Sequence, residues 1–322
     1  MGPQRDDPLT GRRTLLAESR AGRPNDLDPA SGAGPTGEGC PFCAGAEHRT
    51  PDPFDQLLAG DGAWLARAIP NKYPAVGQPE QGLAPGLHEV LIESPRHIDR
   101  VGQMTPRELR AALTLAGRRL QAAADDDRFA YRLVFKNQGR SAGASLGHVH
   151  SQLIALEELP GLVVEEVGRA ERFFRDHGHC ATCDLIERER AAGVRVVAQT
   201  ERLIALCPAA GRQPCETWVM PRGHAPRFEQ WVAEADALLE LSDMLGRLVP
   251  LIEAAIAPHG LNWLVQTQPG GVSDAAYHWR LEIVPRVGSL AGAELATGLG
   301  LNVLAPEIAT QRLRAALQEQ AQ

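Results

Sequence analysis

Two cysteines and two histidines recur in the same order in each half of this 322-residue chain, and that recurrence narrows its possible folds more than any other feature. The first set is Cys40, Cys43, His97 and His148; the second is Cys180, Cys183, His224 and His278. From the second cysteine to the first histidine is 54 residues in one set and 41 in the other, and from histidine to histidine 51 and 54. A Cys2His2 group is a tetrahedral zinc set, so its occurring twice in register predicts two zinc ions per chain. A thioredoxin-like redox pair would instead want a strand before it and a helix opening on it, but Cys40 follows the loop-like run Ser31 to Gly37. His48, His177 and His179 stand close to the C-x-x-C pairs as substitute ligands, while Cys207 and Cys215 read as buried apolar thiols.

The secondary structure repeats with the ligands. Glu89 lies eight residues before His97, and Glu216 eight before His224, each in a strand-like run that ends in proline and then histidine. Thr105-Pro106-Arg107-Glu108 forms a capping box, and Leu109, Ala112, Leu113, Ala116 and Leu120 give a helix to about residue 124 its apolar stripe. After His224 a second long helix carries Trp231, Ala235, Leu238, Leu239, Leu245 and Leu248 as its expected buried face. With His148 aligned on His278, Val134 falls on Leu264 without a gap. The chain therefore reads as two copies of one unit, 1–160 and 161–322, each large enough to close its own core. The first thirty-nine residues, rich in Gly, Pro, Arg and Asp, read as an arm.

The chemistry concentrates between Asn137 and Gln152. Read as a strand, Ser145 to Gln152 places His148, His150 and Gln152 on one face, beside Gly139, Gly143 and Gly147, whose backbone N–H groups are expected to be free for an anion. Imidazole is both metal ligand and nucleophile, which points to phosphate chemistry. Two solvated histidines on a surface strand are the plain alternative, and the doubled ligand pattern argues against it. A net charge of -7 and a pI near 5.8 give no electrostatic footprint for nucleic acid or an anionic membrane. Any phosphate is then held in a local pocket. No apolar core follows a basic region at the N-terminus and no run approaches about eighteen apolar residues, so a cytoplasmic protein is expected.

With these residues in view, the chain resembles the galactose-1-phosphate uridylyltransferase branch of the histidine triad superfamily, which includes ADP-glucose phosphorylases. The resemblance runs through Asp7-Pro8-Leu9-Thr10-Gly11, Arg20 to Pro24, Cys40-Pro41-Phe42-Cys43, Pro70 to Ala75, Asn137 to Gln152, Gly292 to Leu295 and Pro306-Glu307. It implies an α+β fold of two tandem histidine-triad-like halves, each an antiparallel sheet with a packed helix, and a homodimer. It implies that His150 is the nucleophile, that Gln152 and Ser145 contact the transferred phosphoryl group, and that Arg20 and Arg23 neutralise phosphate. Asn71 and Asn137 match substrate-binding positions and Glu294 a hexose contact. The reaction implied is UDP-glucose:hexose-1-phosphate uridylyltransfer in galactose metabolism, by double displacement through a nucleotidyl-histidine. The alternatives are an ADP-glucose phosphorylase, a nucleotide phosphoramidate or dinucleotide hydrolase on the same fold, and a non-catalytic zinc scaffold. The partners are a nucleotide sugar and a sugar 1-phosphate or phosphate.

Three positions depart from the uridylyltransferase pattern. Val149 and Ser151 replace the prolines of H-P-H-P-Q, Lys72 follows Asn71 where an acidic residue is usual, and Ala293 and Gly288 replace the Tyr and Lys near Glu294. The second half departs in its chemistry: Arg280 and Glu282 stand where His150 and Gln152 do. A guanidinium that stays protonated is no nucleophile and a carboxylate repels phosphate, so only the first half should be active.

Overall fold

The apolar stripes and alternating runs assemble around one long sheet. The structure, a computed structural model, describes residues 4–16, 39–78, 80, 82–257, 259–288 and 291–320. The chain opens with β1 (Gln4–Asp6) and β2 (Arg13–Leu16), then β3 (Asp55–Leu58), β4 (Trp64–Pro70), β5 (Val76–Gly77), β6 (Ala84–Ile92), α1 (Pro106–Ala124), β7 (Tyr131–Gln138) and β8 (His150–Leu156). Helices α2 (Gly161–His177) and α3 (Ala181–Ala192) lead into β9 (Val196–Gln199), β10 (Leu203–Leu206), β11 (Thr217–Pro221), α4 (Phe228–Trp231), α5 (Ala235–Ile256), β12 (Leu261–Gln266) and β13 (Arg280–Pro285). The chain closes with α6 (Gly292–Thr297), β14 (Gly300–Asn302) and α7 (Pro306–Glu319).

The sheet order, β3-β4-β6-β8-β7-β12-β13-β11-β10-β9, reads the same from either end once each strand is matched with its counterpart in the other half. Every neighbouring pair along it is antiparallel. At the centre β7 pairs with β12, with Val134 opposite Val265 and Phe135 opposite Leu264. The sequence alignment equates Val134 with Leu264 and Phe135 with Val265, so exchanging the halves returns the same pairing. This is the self-complementary register of a two-fold interface, made within one chain.

Two expectations change here. The halves do not close separate cores: Leu109, Leu113 and Leu120 of α1 share one buried cluster with Leu241, Leu245 and Leu248 of α5 and with Val134, Leu153, Val265 and Leu281 of the sheet. A sheet continuous across both halves puts both helices on one apolar layer, so their side chains meet. The arm is also partly core, because Leu9 and Leu16 are buried and β2 pairs with β1 and, in parallel, with β14.

The helix from Thr105 is placed as read: the Glu108 N–H donates to Thr105 Oγ1 (3.2 Å), the Thr105 N–H donates to Glu108 Oε2 (2.8 Å), and all five stripe residues are buried. On α5 the stripe is rotated. Leu245 and Leu248 are buried, but Ala235 and Leu239 are exposed, and Ala237, Leu241 and Met244 take the inner positions. Asp236, Glu240, Asp243 and Arg247, three and four residues apart, mark the outer side of α5, so the charged positions locate the inner face where the leucines alone do not. Among the described residues no helix is long and apolar enough to cross a membrane.

Leu245 has no exposed surface and belongs to the cluster spanning both halves. Leu245→Ala should cost about 3 kcal/mol. Because the core is shared, heating should still melt both halves in one transition; a calorimetric trace with two separated transitions would show that each half stands alone.

Candidate active site and paired metal centres

The residues of each predicted ligand set converge. Cys40, Cys43, His97 and His148 present ligand atoms all within 4.8 Å of one another, and so do Cys180, Cys183, His224 and His278. In the first set Cys40 Sγ lies 3.5 Å from His148 Nδ1, and Cys43 Sγ lies 3.4 Å from His97 Nδ1. In the second set Cys183 Sγ lies 3.4 Å from His224 Nδ1 and 3.5 Å from His278 Nδ1. Metal–ligand bonds of about 2.0–2.3 Å arranged tetrahedrally put ligand atoms roughly 3.3–3.8 Å apart, so both donor sets fit zinc.

The outer nitrogens fix which imidazole nitrogen faces each centre. His148 Nε2–H donates to the Ser94 carbonyl at 2.9 Å, and its counterpart His278 Nε2–H donates to the Pro221 carbonyl at 3.1 Å. His224 Nε2–H likewise donates to the Asp274 carbonyl at 2.9 Å. Each bond leaves Nδ1 unprotonated toward the cysteine sulfurs, as a metal ligand requires. Burial holds the His148 pKa down at about 4, which keeps it neutral. The Ser94 hydroxyl donates to Glu108 Oε1 at 2.7 Å, so the cap of α1 also steadies the residue that orients His148.

The ordered strand begins at His150, five residues later than the reading from Ser145 to Gln152 implied. His148 lies in the bend before it. The glycine run shapes this approach, with φ +84° at Gly139 and +89° at Gly143. The Gly143 N–H is not free for an anion, because it donates to the Arg140 carbonyl at 3.0 Å.

Residues of the other half clasp the loop. Asn262 Nδ2–H donates to Asn137 Oδ1 (2.8 Å) and to the Ala142 carbonyl (2.9 Å), while the Gly260 N–H donates to Ser141 Oγ (2.8 Å). Ser145 is exposed in the loop that leads to His148.

His150 itself is buried, and its Nδ1–H donates to the His148 carbonyl at 2.6 Å. Burial, and secondarily the Lys136 ammonium, lower its pKa against the opposing pull of the His148 carbonyl and Glu93. The imidazole is therefore neutral, its Nδ1 is occupied by a proton, and Nε2 makes no hydrogen bond among the described residues. Phe42, between the two cysteines, meets the His148 and His150 rings edge-on at 5.8 and 5.4 Å, so the metal loop packs directly against the candidate nucleophile.

Beneath the strand lies a polar cluster that the residue pattern did not announce. Lys136, Glu93 and Ser151 are all buried; Lys136 Nζ donates to Glu93 and, at 3.2 Å, to the His150 carbonyl, and the Ser151 hydroxyl donates to Glu93. Ser151, in one of the family's proline positions, thus has a buried partner of its own. Glu93 and Lys136 are 43 residues apart, so no local spacing in the sequence could have paired them.

The remaining predicted residues are dispersed. Asn71 reaches Gln152, its Nδ2–H donating to Gln152 Oε1 at 3.4 Å. Glu294 lies in α6, where its carboxylate accepts the Ala291 N–H at 2.9 Å; among the described residues it makes no hydrogen bond to the His150 strand. Arg20 and Arg23 lie outside the described residues.

In the second half the position equivalent to His150 is filled and closed. Arg280 forks onto Glu166 of α2 (2.5 and 3.1 Å) and donates through Nε to Glu282 (2.9 Å), while Arg212 and Arg12 approach Glu282 at 3.1 and 3.4 Å. With Glu216, which pairs with Arg212 at 3.1 Å, three guanidiniums meet three carboxylates in a largely buried network and not a solvated surface pair. Burial alone would raise the Glu282 pKa, but Arg280, Arg12 and Arg212 bring it down to about 2. Charged at neutral pH and bound on all sides, these residues leave no room for an imidazole's chemistry.

Comparison with known proteins agrees with this geometry. Residues 86–322 match a family described as a domain of unknown function, DUF4921. The chain is 30% identical to an ADP-glucose phosphorylase of Arabidopsis thaliana, over 96% of this chain and 92% of that one. It is 23% identical to a galactose-1-phosphate uridylyltransferase of Thermotoga maritima, over 96% and 97%. The crystal structure of an Arabidopsis thaliana ADP-glucose phosphorylase with bound ADP-glucose superposes with a TM-score of 0.84 at 29% identity, covering 97% of this chain and 98% of that one.

The buried cluster yields a direct test. Glu93→Ala leaves the Lys136 ammonium buried without its partner and should destabilise the protein by about 3–5 kcal/mol, whereas Glu93→Leu with Lys136→Met should recover most of that loss in urea denaturation. Equal losses in the single and double variants would assign the cost to shape and not to charge.

Proposed function

Because this chain belongs to the family that contains ADP-glucose phosphorylases and galactose-1-phosphate uridylyltransferases, we propose that it moves a nucleotidyl group from a nucleotide sugar to a phosphate-bearing acceptor through His150. The observation that carries the reading is the state of that imidazole: neutral, with Nδ1–H anchored on the His148 carbonyl and Nε2 unengaged. We assign the chemistry to the first half, residues 1–160.

His150 Nε2 attacks the α-phosphorus, the new N–P bond forming as the P–O bond to the sugar 1-phosphate breaks. A second phosphate group, on a hexose 1-phosphate or free, then displaces the imidazole and takes the nucleotidyl group. Two displacements let one site serve two acceptors in turn. The carbonyl bond keeps the proton on Nδ1 and orients Nε2 without adding charge. The Gln152 amide stabilises the charge that develops on the phosphoryl oxygens; removing one such donor typically costs about 2.7–4 kcal/mol of transition-state stabilisation. Cys40, Cys43, His97 and His148 would hold zinc as a four-coordinate structural clamp on the loop before the nucleophile.

The uridylyl reading takes UDP-glucose with a hexose 1-phosphate. A second reading, ADP-glucose with phosphate, is favoured by the 30% identity over nearly the whole chain. Incubation with labelled UDP-glucose and ADP-glucose in turn, without acceptor, tests both: at least one should leave one acid-labile nucleotidyl group per chain, on His150. The adduct should vanish in His150→Ala, with transfer falling by at least about 10⁴-fold. Two groups per chain, or an adduct that survives in His150→Ala, would place the nucleophile elsewhere.

Both donor sets support zinc, and a structural zinc can carry about 10 kcal/mol of apparent binding energy. Protein purified without added metal should contain two zinc ions per chain by elemental analysis; one per chain would remove the second centre.

A further inference from the structure

His88, on β6, stands apart from the residues that the sequence pattern singled out, yet it joins three elements of the candidate site. Val90 pairs with Gln152 and Ile92 with His150, so His88, two residues back along β6, is a diagonal neighbour of Gln152 on the same face. Its ring makes two bonds. Nδ1 accepts the backbone N–H of Ala75 at 2.9 Å, and Nε2 lies 2.9 Å from Gln152 Oε1.

These contacts determine where the protons are. A backbone N–H can only donate, so Nδ1 carries no hydrogen and the neutral ring must hold its proton on Nε2. That N–H donates to Gln152 and requires the amide to present its oxygen. The Asn71 Nδ2–H, whose own Oδ1 accepts the Tyr73 N–H at 2.9 Å, points to the same Gln152 oxygen at 3.4 Å. Asn71 Nδ2 and His88 Nε2, 3.1 Å apart, are therefore two donors converging on one acceptor and not a bond to each other. With its oxygen doubly engaged, the Gln152 amide has only its NH2 left, and among the described residues that group makes no hydrogen bond.

We propose that His88 is a positioning residue for nucleotidyl transfer: it relays the backbone direction of the 71–75 loop into the orientation of the Gln152 amide, so that the NH2 faces the transferred phosphoryl group. The inference rests on the reading of Gln152 given above. A flipped amide would present its oxygen to an anionic phosphate, so an unfixed Gln152 wastes part of its encounters and opposes the reaction in the rest. Burial lowers the His88 pKa against the bond to Gln152, which favours the neutral ring the relay needs.

Two substitutions separate this role from simple support of the loop. Asn places an amide oxygen near the position of Nδ1 and retains the acceptor for Ala75 but loses the donor to Gln152. Gln places its NH2 near the position of Nε2 and retains the donor but loses the acceptor. Single-turnover formation of the His150 adduct from labelled nucleotide sugar is measured on zinc-loaded protein, together with donor affinity and Tm. His88→Asn should slow adduct formation by about 10- to 100-fold with donor affinity changed less than about threefold, while His88→Gln stays within about threefold of wild type. The reverse order, equal losses, or no loss in either variant overturns the relay.

Wild-type protein that forms no adduct overturns the transfer reading, and the relay falls with it; adduct in the wild type with the wrong order of variants removes the relay alone. If either variant fails to fold, the tautomer is read on the wild-type holoprotein by long-range 1H–15N NMR. A proton on Nε2 of His88 supports the relay, and one on Nδ1 overturns it.

Discussion

The pairing of β7 with β12 is the contact on which the rest of the molecule depends. It joins two five-strand runs into one sheet, and its self-complementary register places α1 and α5 side by side on the same apolar layer. The close approach also dictates composition. A Cβ on Gly260 would stand 2.0 Å from the Gln138 carbonyl oxygen, so the end of this joint tolerates only glycine there. At the same end, Asn262 and Gly260 reach across and hold the loop that leads to the candidate site. The second half thus supports the candidate site through this joint without needing a reactive group of its own.

The two halves build the same four-ligand cluster and then differ at the position of the candidate nucleophile. In both, a C-x-x-C loop, a histidine after a strand and a histidine after a loop bring four ligand atoms together, and in both a backbone carbonyl, of Ser94 or Pro221, orients the last histidine. Two residues further on they diverge. His150 is neutral, tied at one nitrogen and unengaged at the other. Arg280 is charged and fully engaged, with Glu166 of α2 supplied as its counter-ion. A buried ion network of this kind gives little net stability, but removing any one member would strand a charge, so an imidazole could not replace Arg280 without leaving Glu166 and Glu282 short of a cation.

Much of this was legible in the residues themselves. The eight ligands, the imidazole at 150 against the guanidinium at 280, and the helix start at Thr105 are decided by residue type and local spacing, and the structure brings each ligand set together and caps the helix as read. The ungapped match of Val134 with Leu264 even foreshadowed the central register, although nothing in it said that the copies would meet edge to edge. What tertiary structure alone decided are partnerships between distant positions: His88 with Gln152, Lys136 with Glu93 and the His150 carbonyl, and Arg280 with Glu166, separated by 64, 43, 14 and 114 residues. Residue type sets what a side chain can donate, accept or bury; which partner it meets depends on strand register and helix rotation, and those are settled only when the whole sheet closes over its shared core.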